Sequence, residues 1–175
     1  MNSQIQYKLL KRLWMPLCLL GCLLAALTAE AQKPEKPPRP ITVTVSTAQH
    51  LRFGSFIQSG ANGTVTVTYD GFRTATGSII LPNMSSIVTP ALFIVDAEPG
   101  TLINIVNGPD ATLTGSNGGT ITLKLGESSA GPYSQFITRS QYTDIFIGGT
   151  LTIGPLGANP AGFYNGTFQV TFIQE

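Results

Sequence analysis

Apolar and polar residues alternate along most of this chain, and the alternation has the period of a strand rather than of a helix. Ile41, Val43 and Val45 interleave with Thr42, Thr44 and Ser46, and Val65, Val67 and Tyr69 interleave with Thr64, Thr66 and Thr68. Successive side chains of a strand point to opposite faces, so such runs describe β-strands with one face on a core. Further strands are predicted around Leu51–Phe56, Phe72–Leu81, Ala91–Asp96, Thr101–Val106, Thr120–Leu125 and Tyr142–Ile147. The closing stretch, Gly148 to Glu175, adds Thr150–Ile153 and Gly166–Ile173 around a loop dense in Gly and Pro. A chain that stops on a core strand is expected to carry no C-terminal lid, sorting domain or anchor.

Asp70-Gly71, Pro99-Gly100, Asn107-Gly108 and Asn117-Gly118 punctuate these runs. Asp-Gly suits a tight hairpin because Gly tolerates positive φ. Short strands with turn signals every eight to twelve residues argue for an all-β fold, an antiparallel two-sheet immunoglobulin-like sandwich. Its expected core is Val43, Val45, Phe53, Val65, Val67, Ile80, Phe93, Val95, Ile103, Ile105, Ile121, Leu123, Ile145, Ile147, Leu151, Phe168, Val170 and Phe172. The last strand is expected over Thr167 to Ile173, with Phe168, Val170 and Phe172 on one side.

The first forty residues depart from this pattern. Lys8, Lys11 and Arg12 precede an apolar run from Leu13 to Leu27, and Ala29-Glu30-Ala31 follows with small residues at both cleavage positions. That is the order of a secretory signal peptide, assigned to residues 1–31 and expected to form a helix. Its apolar run is shorter than the ~20 residues that span a bilayer, and Pro16 and Gly21 interrupt it. Both cysteines, Cys18 and Cys22, lie inside it. Leu19-Leu20-Gly21-Cys22 resembles a lipobox, which leaves lipidation of Cys22 as the alternative to the expected cleavage between Ala31 and Gln32. Residues 32–40, QKPEKPPRP, form a Pro-rich linker expected to be extended. The sandwich domain is expected over residues 41–175.

Composition changes the picture in two ways. Charged residues make up 11% of the chain and 19 residues are Gly, the usage of a turn-rich β domain. Without Lys8, Lys11, Arg12 and Glu30, seven basic residues face eight acidic ones, so the formal charge of +1 becomes about −1. No basic patch remains, which argues against nucleic acid and anionic membranes as partners.

A resemblance becomes visible in the motifs. Leu51-Arg52-Phe53-Gly54-Ser55, Asp70-Gly71 with Thr76-Gly77, Gly148-Gly149-Thr150-Leu151-Thr152-Ile153 and Gly162-Phe163-Tyr164-Asn165-Gly166-Thr167-Phe168-Gln169-Val170-Thr171 follow in order. The series resembles the bacterial exported domain-of-unknown-function family 4402, itself similar to spore-coat-U and Csu-type pilin subunits. The resemblance covers nearly all of Ile41 to Glu175. It implies a pilin-like or adhesin-like sandwich on a Gram-negative surface, with no catalytic residues to carry over.

The chemistry of the side chains adds little to that. His50 is the one histidine, it sits in a polar junction, and no G-x-S-x-G elbow accompanies any serine. One histidine and no cysteine after the leader exclude the usual zinc sites. Asp96-Ala97-Glu98 before Pro99-Gly100 reads as a turn rather than a Ca²⁺ loop, and Asp70 as a hairpin residue. No catalytic, cofactor-binding or metal-binding residue is therefore assigned, and no cofactor. A cleft gathering two or more of Asp96, Glu98, Asp144 and His50 would point to an enzyme instead. Of the aromatics Phe72, Tyr133, Phe136, Tyr142, Phe163 and Tyr164, those in the polar loop from Tyr133 to Tyr142 could stack on a sugar ring.

The expected function is that of an exported, non-catalytic structural subunit on the surface or in the periplasm. The alternative is a soluble carbohydrate- or peptide-binding module. The expected partners are other copies or related subunits, joined by strand addition at an open edge, or a surface glycan. Ile41 to Val45 either pairs within its own chain or is donated to a neighbour.

Overall fold

The computed structural model describes residues 37, 39–45, 49–82 and 86–175. The expected leader helix, its cleavage point, Cys22 and most of the Pro-rich linker lie outside the described residues. Every element among the described residues is a β-strand, and every strand pair is antiparallel.

The strands form two sheets. The larger, curled sheet runs β1 (Thr42–Val45), β4 (Ala91–Asp96), β9 (Tyr142–Ile153), β7 (Thr120–Ser128), β6 (Ala111–Gly115), β10 (Tyr164–Asn165). From β9 it branches to β2 (Ile57–Val67), which pairs with β3 (Arg73–Ile80). The smaller sheet has β5 (Leu102–Asn107) between β11 (Val170–Gln174) and β8 (Gln135–Ile137).

The branch is a property of β9. Its first half pairs with β4, Phe93 opposite Ile145, and its second half pairs with β2, Val65 opposite Leu151. The hand-over falls at Gly148, where a Cβ would lie 2.2 Å from the Val67 carbonyl oxygen. Only glycine lets the two backbones approach this closely.

Period-two alternation then sorts the large sheet into a dry face and a wet one. Val65, Val67, Val95, Ile121, Ile147 and Ile153 are 0–1% exposed on the inner side. Each buried aliphatic side chain of this kind stabilises the fold by about 1.5–3 kcal/mol. On the outer side threonines stand opposite one another: Thr64 by Thr152, Thr152 by Thr122, Thr66 by Thr150. The Thr66 and Thr150 hydroxyls hydrogen-bond at 2.9 Å. The small sheet covers part of the inner face with Ile103, Ile105 and the half-buried Phe136 and Phe172. Phe93 of β4 and Phe172 of β11 meet there, ring centroids 5.5 Å apart and tilted by 52°.

Several expectations need correction. Tyr142–Ile147 and Thr150–Ile153 are one twelve-residue strand. Leu51–Phe56 is not a strand; its one ladder contact is the bridge Arg52–Thr89. Three strands are not expected: β6, β8, which lies inside the polar loop after Tyr133, and β10, which lies in the Gly/Pro-rich loop and pairs with β6. The closing strand, expected over Thr167 to Ile173, is Val170–Gln174 on β5. Phe168, Val170 and Phe172 do pack on the core, half-buried. Ile80 is 53% exposed, and Ile79 takes its core place at 8%. The pairing shifts between Gln58 and Gly63, and β3 buries Ile79 and half-buries Ala75, while Gly77 between them is exposed. Ile41 to Val45 pairs within its own chain, Val43 opposite Val95 at the outer edge of β4.

Candidate functional site

The small sheet stops short of covering the whole inner face. Beside it lies a groove of about 1160 Å³. Its floor is the large sheet: Phe93, Leu113, Ile121, Leu123, Leu151 and Ile153. Its two walls are irregular segments, residues 49–58 and residues 159–168.

The first wall is held from behind by Arg73 of β3. One guanidinium nitrogen donates to the Phe53 carbonyl at 2.9 Å and the Ser55 carbonyl at 3.2 Å. Between these carbonyls sits Gly54, at φ +68°, where a Cβ would lie 2.5 Å from that nitrogen. The motif Leu51-Arg52-Phe53-Gly54 thereby gains a physical reason. Phe53 anchors the segment in the core, and Gly54 supplies both the left-handed turn and the space the arginine fills.

The second wall is braced by polar side chains. Asn159 accepts from the Gly154 N–H at 2.7 Å and donates to the Thr120 carbonyl. Asn117 donates to the Ala161 carbonyl at 2.7 Å, and the Tyr164 hydroxyl to the Pro160 carbonyl at 2.7 Å. The Gln58 amide donates to the Gly154 carbonyl and joins this loop to the far end of the first wall.

The braces leave part of each wall's backbone without a partner. Among the described residues, no hydrogen bond is made by the N–H groups of Gly54, Ser55 and Phe56 on one side, or of Thr167 and Phe168 on the other. Such donors need water or another chain. The rim is apolar and open: Ile57 is 52% exposed, Leu156 68% and Phe163 81%. The deepest floor residues stay dry, Ile121 and Ile153 at 1% exposure.

Of the residues weighed as catalytic, only His50 reaches the groove, and among the described residues no carboxylate lines it. Asp96 bonds to Arg39, and Asp144 sits on β9 opposite Ile94. Among the described residues no three of His, Cys, Asp and Glu are grouped as metal ligands. Asp70 lies at the β2–β3 turn, where the Thr68 hydroxyl and then the Phe72 N–H hold its carboxyl below its ordinary value. Of the aromatics, Phe163 and Tyr164 line the groove, Phe136 packs on the core, and Tyr133 is 86% exposed. Arg73 is not legible in the sequence as a wall support, because one arginine in an alternating strand carries no local signature.

The sequence matches the family described as Domain of unknown function (DUF4402) over residues 43–173. No curated protein and no solved structure matches it.

Proposed function

The chain belongs to this family of domains of unknown function, and we propose that it is an exported, non-catalytic surface protein, a pilin-like or adhesin-like structural subunit. Its groove receives an extended segment of another subunit. The observation that supports this best is the pair of walls whose N–H groups find no partner among the described residues, set over an apolar floor. An added strand would satisfy those donors by main-chain hydrogen bonds and press alternate side chains toward the floor. A strand of five residues extends about 17 Å. The groove, at about 1160 Å³, exceeds the roughly 300–1,000 Å³ common for small-molecule sites. A pilin-like, immunoglobulin-like sandwich with an incomplete second sheet is consistent with three strands standing against eight. A role outside the cytoplasm of a Gram-negative cell is supported by the signal-peptide pattern of residues 1–31 and by the resemblance of the motifs to spore-coat-U and Csu-type subunits.

The test is native mass measurement on protein taken from the surface and periplasm of producing cells. Assemblies with a repeating subunit mass, or a stable pair with a second subunit, are expected. Monomer at every concentration, with no second chain, overturns the subunit reading.

One observation favours the second reading, a soluble carbohydrate- or peptide-binding module. β1 closes the outer edge of β4 from within the same chain over four registered pairs. Under that reading the groove belongs to a free ligand. A monomer isolated with a peptide or glycan bound would decide for it.

A further inference from the structure

We infer that the segment received by the groove carries an Asp or Glu at one end, which docks beside Arg52. The inference rests on the strand-accepting reading above and adds the chemistry of the partner. The groove's two ends differ in charge. Arg52 and His50 both bond to Thr89, whereas Gln58 and Asn159 both bond to Gly154 and carry no charge. Among the described residues no acid lines any part of it. Arg52 is exposed, and among the described residues its guanidinium makes no ion pair or side-chain hydrogen bond. Arg39 and Arg73, by contrast, are committed to Asp96 and to the wall carbonyls.

Charge complementarity therefore gives the groove a direction as well as an apolar taste. A guanidinium at the lip of a low-dielectric cleft favours a carboxylate by charge-assisted hydrogen bonds and disfavours a cation. The chain's own β1 segment is a poor match. Ile41 to Val45 has no acid, and Lys36 and Arg39 are the nearest charges on its N-terminal side. The fitting occupant is thus a segment of a different subunit, alternating apolar and polar, with an acidic residue at one end.

Fluorescence anisotropy on the full chain tests this with labelled, end-blocked peptides of alternating Val and Thr, about eight residues long. One set carries Glu at the first position, one at the last, and one carries Gln in both places. One of the two Glu peptides should bind about tenfold tighter than the Gln peptide at low ionic strength, and the gap should narrow in salt. Arg52→Gln should erase the difference between the Glu and Gln peptides, while Arg52→Lys should retain most of it. Its backbone bridge to Thr89 survives either change. Equal binding of the Glu and Gln peptides overturns the acidic-end inference and leaves the groove reading standing. Absence of all peptide binding overturns both. Arg52-dependent binding of a fatty acid in place of peptide would also overturn it, by making the groove a lipid-acid site.

Discussion

One inner face of the large sheet is covered in two different ways. Under β5, β8 and β11 the cover is a hydrogen-bonded sheet, registered from Leu102–Ile137 to Val170–Asn107 and joined to the floor through Phe93 and Phe172. Under residues 49–58 and 159–168 the cover is two braced segments whose backbone is partly unpaired among the described residues. The floor is equally apolar in both halves. What differs is whether the cover's N–H and C=O groups are used up inside the chain. A core closed by ladders is finished, whereas one closed by braces keeps donors for another strand.

The largest effect should come from breaking the finished half. Ile103 is fully buried, so Ile103→Ala should cost about 3 kcal/mol in urea unfolding, while Phe168→Ala in the half-buried wall should cost about half as much. Equal losses would remove the distinction between the two covers. Next in size is the brace itself. Arg73→Ala removes the bonds to the Phe53 and Ser55 carbonyls and should cost about 1–2 kcal/mol. Hydrogen exchange should quicken at the bonded amides of Arg52 and Thr89 and stay slow in β5, which separates a loosened wall from a general loss of stability.

How much of this division was legible in the sequence depends on the element. Strands with unbroken alternation of large apolar residues, such as Ala91–Asp96 and Thr120–Leu125, were visible at nearly their observed bounds. β6 and β8 were not, because each has a single large inward residue, Leu113 or Phe136, set in polar sequence. Ile79 takes the core place that the sequence pattern offers to Ile80, because the half-buried Ala75 and the exposed Gly77 before it give no hydrophobic signal that fixes the inward side. The sequence points to an open edge for strand addition and does not outline the two irregular walls. Its first wall reads as a strand in sequence, since Leu51, Phe53 and the residues between them alternate. It fails to become one because Gly54 turns left-handed to admit Arg73. That contact joins residues 20 apart and has no local trace.

Smaller effects sharpen the contrast with the solvated outer face. Thr66→Ala deletes the hydroxyl pair with Thr150 and should cost about 0.5 kcal/mol, with no change in peptide binding. The smallest effect is at the β2–β3 turn. The folded state lowers the Asp70 pKa, so its contribution is full above about pH 4 and is lost as the pH falls through the lower folded-state value. Asp70→Asn should therefore lower stability slightly above about pH 4 and leave the acid end unchanged, which flattens the acid limb of a stability–pH curve. A loss of equal size at the acid end and at neutral pH would contradict that assignment.

The central claim is that the unpaired wall donors are kept for another chain. Hydrogen exchange on protein recovered from the cell surface, compared with the isolated monomer, tests it most directly. The N–H groups of Gly54, Ser55, Phe56, Thr167 and Phe168 should exchange freely in the monomer and become protected in the assembled material, while β5 and β9 are protected in both. Free exchange of those five groups in the assembled material, or their protection already in the monomer, would contradict the account.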